Sequence, residues 1–102
     1  MKDGFVKVAV GTPKIRVADC VYNAEAISSM IREAEQNGAK MLALPELCVT
    51  GYTCGDLFCS DSLLDAAEDA LVTAAENTGD LLALVGAPVR FGNRLYSCAV
   101  AI

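Results

Sequence analysis

The sequence contains no histidine. Ser-His-Asp and Cys-His catalysis therefore cannot be assembled within this chain, and the usual nitrogen ligand for zinc is missing as well. No cysteine pair has the C-x-x-C spacing, and the cysteine count, five, is odd. That usage argues against a disulfide framework and for a reducing, cytoplasmic setting. No apolar run approaches the length of a membrane span. The opening Met1-Lys2-Asp3-Gly4-Phe5 lacks the long apolar centre of a signal peptide. Basic residues form no stripe: 8 Lys and Arg stand against 13 Asp and Glu, for a net charge of -5, which makes nucleic acid a poor partner. The acidic residues are spread out rather than gathered in a tail-like block. What is present is 102 residues, 54% of them hydrophobic, enough for one compact domain with a packed core and too few for two.

Hydrophobic spacing divides the chain into alternating elements. Phe5 to Val10 reads as a strand with Val6, Val8 and Val10 on one face, ended by Gly11-Thr12-Pro13. Asn23 is a candidate N-cap for the helix that follows. Ile27, Met30, Ile31 and Ala34 fall at i, i+3, i+4 and i+7 on its apolar side, and Asn37-Gly38 stops it. Met41 to Leu44 is a short continuous apolar run before Pro45-Glu46, the pattern of a strand buried on both faces. Residues 46–60 read as a loop punctuated by Gly51 and Gly55. Ser60, Asp61 or Ser62 can cap a second helix, and Ser62 with Asp65 resembles a capping box. That helix carries Leu64, Ala67, Leu71 and Ala74 as its stripe and ends at Thr78-Gly79-Asp80. Leu81 to Val85 and Leu95 to Ile102 read as strands, with Phe91-Gly92-Asn93-Arg94 as a hairpin turn between strand-like segments. The order β-α-β-α-β-β predicts an α/β layered sheet. The last residues, Ala99-Val100-Ala101-Ile102, lie inside an apolar strand, which suggests a truncated fragment.

The chemistry-bearing stretch is Leu42-Ala43-Leu44-Pro45-Glu46-Leu47-Cys48-Val49-Thr50-Gly51-Tyr52. A carboxylate directly after a buried strand stands where ligands collect in α/β sheets. Apolar neighbours penalise the charged form of such a group, which suits it to accept a proton at neutral pH. The same pattern also fits a solvated glutamate that merely follows a strand. Cys98 reads as core packing, while Cys48, Cys54 and Cys59 crowd the Glu46 loop with separations of six and five residues. Those spacings lack the knuckle of a structural zinc site, so no metal is expected.

This stretch resembles the first signature of the nitrilase superfamily, and its continuation Thr53-Cys54-Gly55-Asp56-Leu57-Phe58 is similar to the version in glutamine-dependent NAD synthetases. The resemblance runs from about Phe5 to Ile102. It takes in the second helix and the strands Leu84–Val89 and Leu95–Val100. It implies a partial nitrilase-type α-β-β-α sandwich with at least one incompletely covered sheet face or edge, prone to self-association. It implies a Glu-Lys-Cys triad in which Glu46 is the general base, with the lysine and cysteine further along the polypeptide, so that this chain alone is inactive. Tyr52 is expected near the glutamine pocket, or else as an aromatic over the loop's apolar underside. Asp56, Leu57 and Phe58 are expected either to anchor the loop or to touch a neighbouring domain. The implied reaction releases ammonia from glutamine for a separate synthetase domain that uses ATP and Mg to amidate nicotinic acid adenine dinucleotide. This chain itself needs no cofactor, and its partners would be the remainder of the same polypeptide and further copies in a homo-oligomer. Two other readings are a stand-alone nitrilase-type amidase and a non-catalytic binding or assembly module. The Gly55-Asp56-Leu57-Phe58 tail speaks against the first. An exposed apolar strand edge, a hazard for a free-standing module, speaks against the second.

Overall fold

A computed structural model describes residues 4–102. Along the chain lie β1 (Val8–Val10), α1 (Cys20–Gln36), β2 (Met41–Ala43), a short 3-10 turn (Gly55–Cys59), α2 (Asp61–Glu76), β3 (Leu82–Phe91) and β4 (Arg94–Ala101). The strands form one sheet in the order β1-β2-β3-β4. The first two pairings are parallel, as helical crossovers require, and the β3–β4 hairpin is antiparallel. The expected order is therefore observed, with the 3-10 turn added inside what the sequence presents as loop.

Both helices lie on one side of the sheet. Ile27 and Ile31 of α1, Ala67 and Ala74 of α2, Leu42 of β2 and Ala83, Val85 and Ala87 of β3 meet in a closed core. The other side has no such cover among the described residues. Register aligns Val8 with Met41 and Leu82, and Val10 with Ala43, Leu84 and Ala101, so alternation places these on the opposite face. Val10 there is 83% exposed, and Val8 and Leu82 are exposed too. The partly covered sandwich is thus one helical layer on one sheet. The run Met41–Leu44 is not buried on both faces as expected: Leu42 is enclosed, while Met41, Ala43 and Leu44 are only half-buried, because helices cover a single side.

Several boundaries differ from the sequence reading for identifiable reasons. The first strand is regular only over Val8–Val10, because β2 offers three partner residues and no more. The helix α1 starts earlier than expected. Its N-cap is Asp19, whose Oδ1 accepts from the Tyr22 N–H at 3.1 Å, so Asn23 is not the cap but a fully buried residue of the first turn. In α2 the cap is Ser60, whose Oγ accepts from the Leu63 N–H. The suspected capping box does not form, because the Asp65 carboxylate instead pairs with Arg90 at 2.7 Å, alongside Asp61. That double contact, Asp65 first, raises the Arg90 guanidinium above its already high ordinary value.

The strand β3 continues six residues past Val85, through Pro88, to Phe91. Proline is tolerated there for a local reason. The carbonyls of Leu84 and Gly86 point away from β4, toward Leu44 and Val49, and Pro88 presents its nitrogen on that same side by alternation. The pairing with β2 ends at Leu84, so no strand stands there to require an N–H from Pro88.

Candidate functional site

Glu46 opens the turn that follows β2, and the backbone of that turn is held from several directions. Leu44 donates to the Leu84 carbonyl at 3.0 Å and Val49 donates to the Gly86 carbonyl at 3.1 Å. Ala18 donates to the Thr50 carbonyl at 2.7 Å, and Gly51 closes the turn by donating to the Leu47 carbonyl at 2.8 Å. Leu47, immediately after Glu46, has φ of 54°, a left-handed conformation that costs a side-chain-bearing residue about 1 kcal/mol or more. The compensation is visible: Leu47, Cys48, Val49 and Thr50 are all buried.

Two residues far away in sequence build this mount. Asn23 accepts from the Arg16 N–H at 2.7 Å, and its amide donates to the carbonyls of Arg16 and Val49, each at 2.8 Å. One buried side chain thereby ties the segment before α1 to the Glu46 turn. Gly86 supplies the other contact. A Cβ at that position would come within 3.0 Å of Pro45, Glu46 and Leu47 backbone atoms, so the turn rests directly on the bare backbone of β3.

The Glu46 side chain itself is solvent-facing, contrary to the expectation of an apolar enclosure, because only one layer of structure surrounds the turn. Its Oε2 accepts a hydrogen bond of 2.8 Å from the Ser97 hydroxyl of β4. Ser97, with Leu47, Phe58, Pro88, Leu95 and Tyr96, lines a shallow cleft of about 110 Å³. Glu46 thus stands beside a cleft rather than on a featureless surface. Roomier hollows lie elsewhere, between β1 and α1 (about 240 Å³) and between α1 and α2 (about 320 Å³), and Glu46 lines neither.

The remaining expected residues are distributed unevenly. Tyr52 is 68% exposed and does not line the cleft beside Glu46. Phe58 packs against the core as an anchor, whereas Leu57 and Asp56 face solvent. Cys98 is half-buried on β4 rather than fully in the core, since β4 is an edge strand. Cys48 and Cys54 are buried and Cys59 is exposed; among the described residues no three potential ligands converge on a metal site. Burial pushes the Cys48 thiol up, partly offset by backbone hydrogen bonding at Gly86 and at Cys48 itself, and the thiol lies 3.7 Å from the Gly86 carbonyl. Burial, then the neighbouring Cys54 and Asp19, likewise raises Cys20. A buried, uncharged thiol packs as a small hydrophobe.

Ser97, Gly86 and Asn23 were not singled out as site residues from the sequence. A glycine inside an apolar strand is a signal of close backbone approach, and a lone hydroxyl in the otherwise apolar run Leu95–Ile102 is a weaker one. Asn23 carried a signal that pointed to the wrong role.

A layered α/β sheet with a fixed carboxylate at a parallel strand's exit is the class of protein defined here. The chain belongs to the carbon-nitrogen hydrolase family, whose pattern matches residues 7–102. It is similar to the glutamine-dependent NAD(+) synthetase of Mycobacterium tuberculosis, with 42% identity over 101 residues, covering 97% of this chain and 15% of that protein. The enzyme of the same name from Drosophila melanogaster is 38% identical over 98 residues, covering 94% of this chain and 12% of that one. The chain therefore spans about 15% of the length of the mycobacterial relative. Among solved structures, a glutamine-dependent NAD(+) synthetase from Cytophaga hutchinsonii superposes with a TM-score of 0.90 at 29% identity, over 95% of this chain and 17% of that one. An amidase from Nesterenkonia sp. shares the fold, with a TM-score of 0.74 at 23% identity, over 90% of this chain and 35% of that one. No helix among the described residues is long and apolar enough to cross a membrane.

Proposed function

We propose that this chain is the amino-terminal part of the glutamine-hydrolysing domain of a glutamine-dependent NAD synthetase, and that Glu46 is its general base. The observation that carries the reading is the mount of Glu46: a turn pinned by Gly86, Asn23 and Ala18 presents one carboxylate beside a cleft. Extensive likeness to synthetases of that name supports it.

In the complete domain the Glu46 carboxylate takes the proton from a cysteine thiol supplied further along the polypeptide. The thiolate attacks the side-chain amide carbon of glutamine, the carbon-nitrogen bond breaks, ammonia leaves with a proton, and a thioester remains. A lysine, also supplied further along, steadies the charge on the carbonyl oxygen. Water then cleaves the thioester, releasing glutamate and restoring the thiol. Tyr52 contributes to glutamine binding from the exposed part of the loop. The ammonia serves a synthetase domain that uses ATP and Mg to amidate nicotinic acid adenine dinucleotide, and this chain alone is inactive. The setting is cytoplasmic, in keeping with five free cysteines, and the rest of the polypeptide together with further copies in a homo-oligomer covers the apolar sheet face.

The test is made in the full-length protein. Glu46→Gln is expected to lower glutamine-dependent NAD formation by about a hundredfold or more, while ammonia-dependent formation persists. Survival of both activities at wild-type rates would remove Glu46 from the role.

A further inference from the structure

Among the described residues the side chain of Glu46 has a single hydrogen-bond partner, and it comes from the far end of the chain. Ser97 lies 51 residues away, yet its hydroxyl reaches Oε2 at 2.8 Å. The two contacts that define where this carboxylate sits belong to one hairpin. Gly86 of β3 receives the backbone of Pro45, Glu46 and Leu47, and Ser97 of β4, paired with Pro88, receives the carboxylate. Ser97 itself is exposed on the edge strand β4, so the hydroxyl reaches the carboxylate at the surface of the sheet.

We propose that Ser97 is a positioning residue for Glu46: its hydroxyl donates to one carboxylate oxygen and leaves the other free to accept the thiol proton. A glutamate on a fixed backbone still has three side-chain torsions, and an exposed one samples many rotamers. One donated hydrogen bond to an ionised oxygen selects among them. Among the described residues the ion pairs join Arg90 to Asp61, Asp65 and Glu68, and none involves Glu46. The nearest titratable neighbour on its own turn, Cys48, directs its thiol to the Gly86 carbonyl instead. The orientation of Glu46 therefore falls to a neutral hydroxyl. This inference rests on the reading of Glu46 as the base.

The experiment uses the full-length protein with Ser97→Ala, Ser97→Thr and Glu46→Gln, followed by glutamine hydrolysis, ammonia-dependent synthesis and thermal melting. Ser97→Ala is expected to lower kcat for glutamine about tenfold with KM changed less than about twofold, because the chemical step and not binding loses its alignment. Ser97→Thr, which keeps the hydroxyl, should recover most of the rate, and ammonia-dependent synthesis should be unchanged in both. A wild-type kcat in Ser97→Ala, with Glu46→Gln inactive, would overturn the role of Ser97 and leave Glu46 as base. A raised KM at unchanged kcat would overturn it in favour of substrate contact. A fall in melting temperature with no recovery by threonine would overturn it in favour of a structural hydroxyl. Full glutamine-dependent activity in Glu46→Gln would take both readings away.

Discussion

The connection between β2 and α2 falls into two stretches that share some residue types and behave differently. Leu47-Cys48-Val49-Thr50 is buried throughout, whereas Tyr52, Thr53 and Gly55-Asp56-Leu57 face solvent. Both contain a leucine and a threonine, and a cysteine stands in or beside each, but the first is the more apolar, with Val49 against Gly55 and Asp56 in the second. Other elements widen that difference. The first stretch meets Gly86, Asn23 and Ala18, which take up its backbone groups; the second is held chiefly by Phe58 and by Cys54, whose thiol donates to the Thr50 carbonyl at 3.2 Å. The contacts from outside the loop are concentrated next to Glu46, the proposed base.

The strongest way to break that contrast is Gly86→Ala. The added methyl meets backbone, which cannot rotate away, so the Glu46 turn must shift. Stability should fall by about 3 kcal/mol and glutamine-dependent turnover by about a hundredfold, read by denaturant unfolding and by glutamine hydrolysis in the full-length protein. Wild-type turnover in this variant would show that the turn has slack.

Asn23→Ala attacks the same stretch from the other side. It removes three hydrogen bonds from a site with no solvent access and should cost about 3 kcal/mol by denaturant unfolding, with a smaller loss of turnover than Gly86→Ala causes. A cost under about 1 kcal/mol would mean that water takes over its partners. The least perturbing change lies in the exposed stretch. Tyr52→Ala should leave stability within about 0.5 kcal/mol of wild type and raise KM for glutamine about threefold if the ring contacts substrate. An unchanged KM would leave Tyr52 without a part in binding.

Much of this architecture is legible in the residues themselves. Ile27, Ile31 and Ala34 announce the buried side of α1, and Ala67 and Ala74 that of α2, because a helix repeats its faces every 3.6 residues. Gly38 and Gly92 adopt the positive φ their turns need, 83° and 62°. Where the reading went astray, two local rules competed. Asp19 and Asn23 are both acceptable caps, and only the path of the chain before Cys20 selects the first. The apolar run Leu81–Val85 reads as a whole strand, yet β3 continues through Pro88 because the proline nitrogen faces a side where β2 has stopped.

By itself the sequence determined the succession of elements, the apolar faces and the position of a glutamate at the exit of a parallel strand, since periodicity, turn chemistry and motif are properties of neighbours along the chain. Only the tertiary structure decided that Glu46 points to solvent, that its turn rests on Gly86 and hangs from Asn23, and that Ser97 receives its carboxylate. Those contacts join residues 26 to 51 positions apart, and no local pattern records which distant backbone or hydroxyl the folded chain will bring into reach.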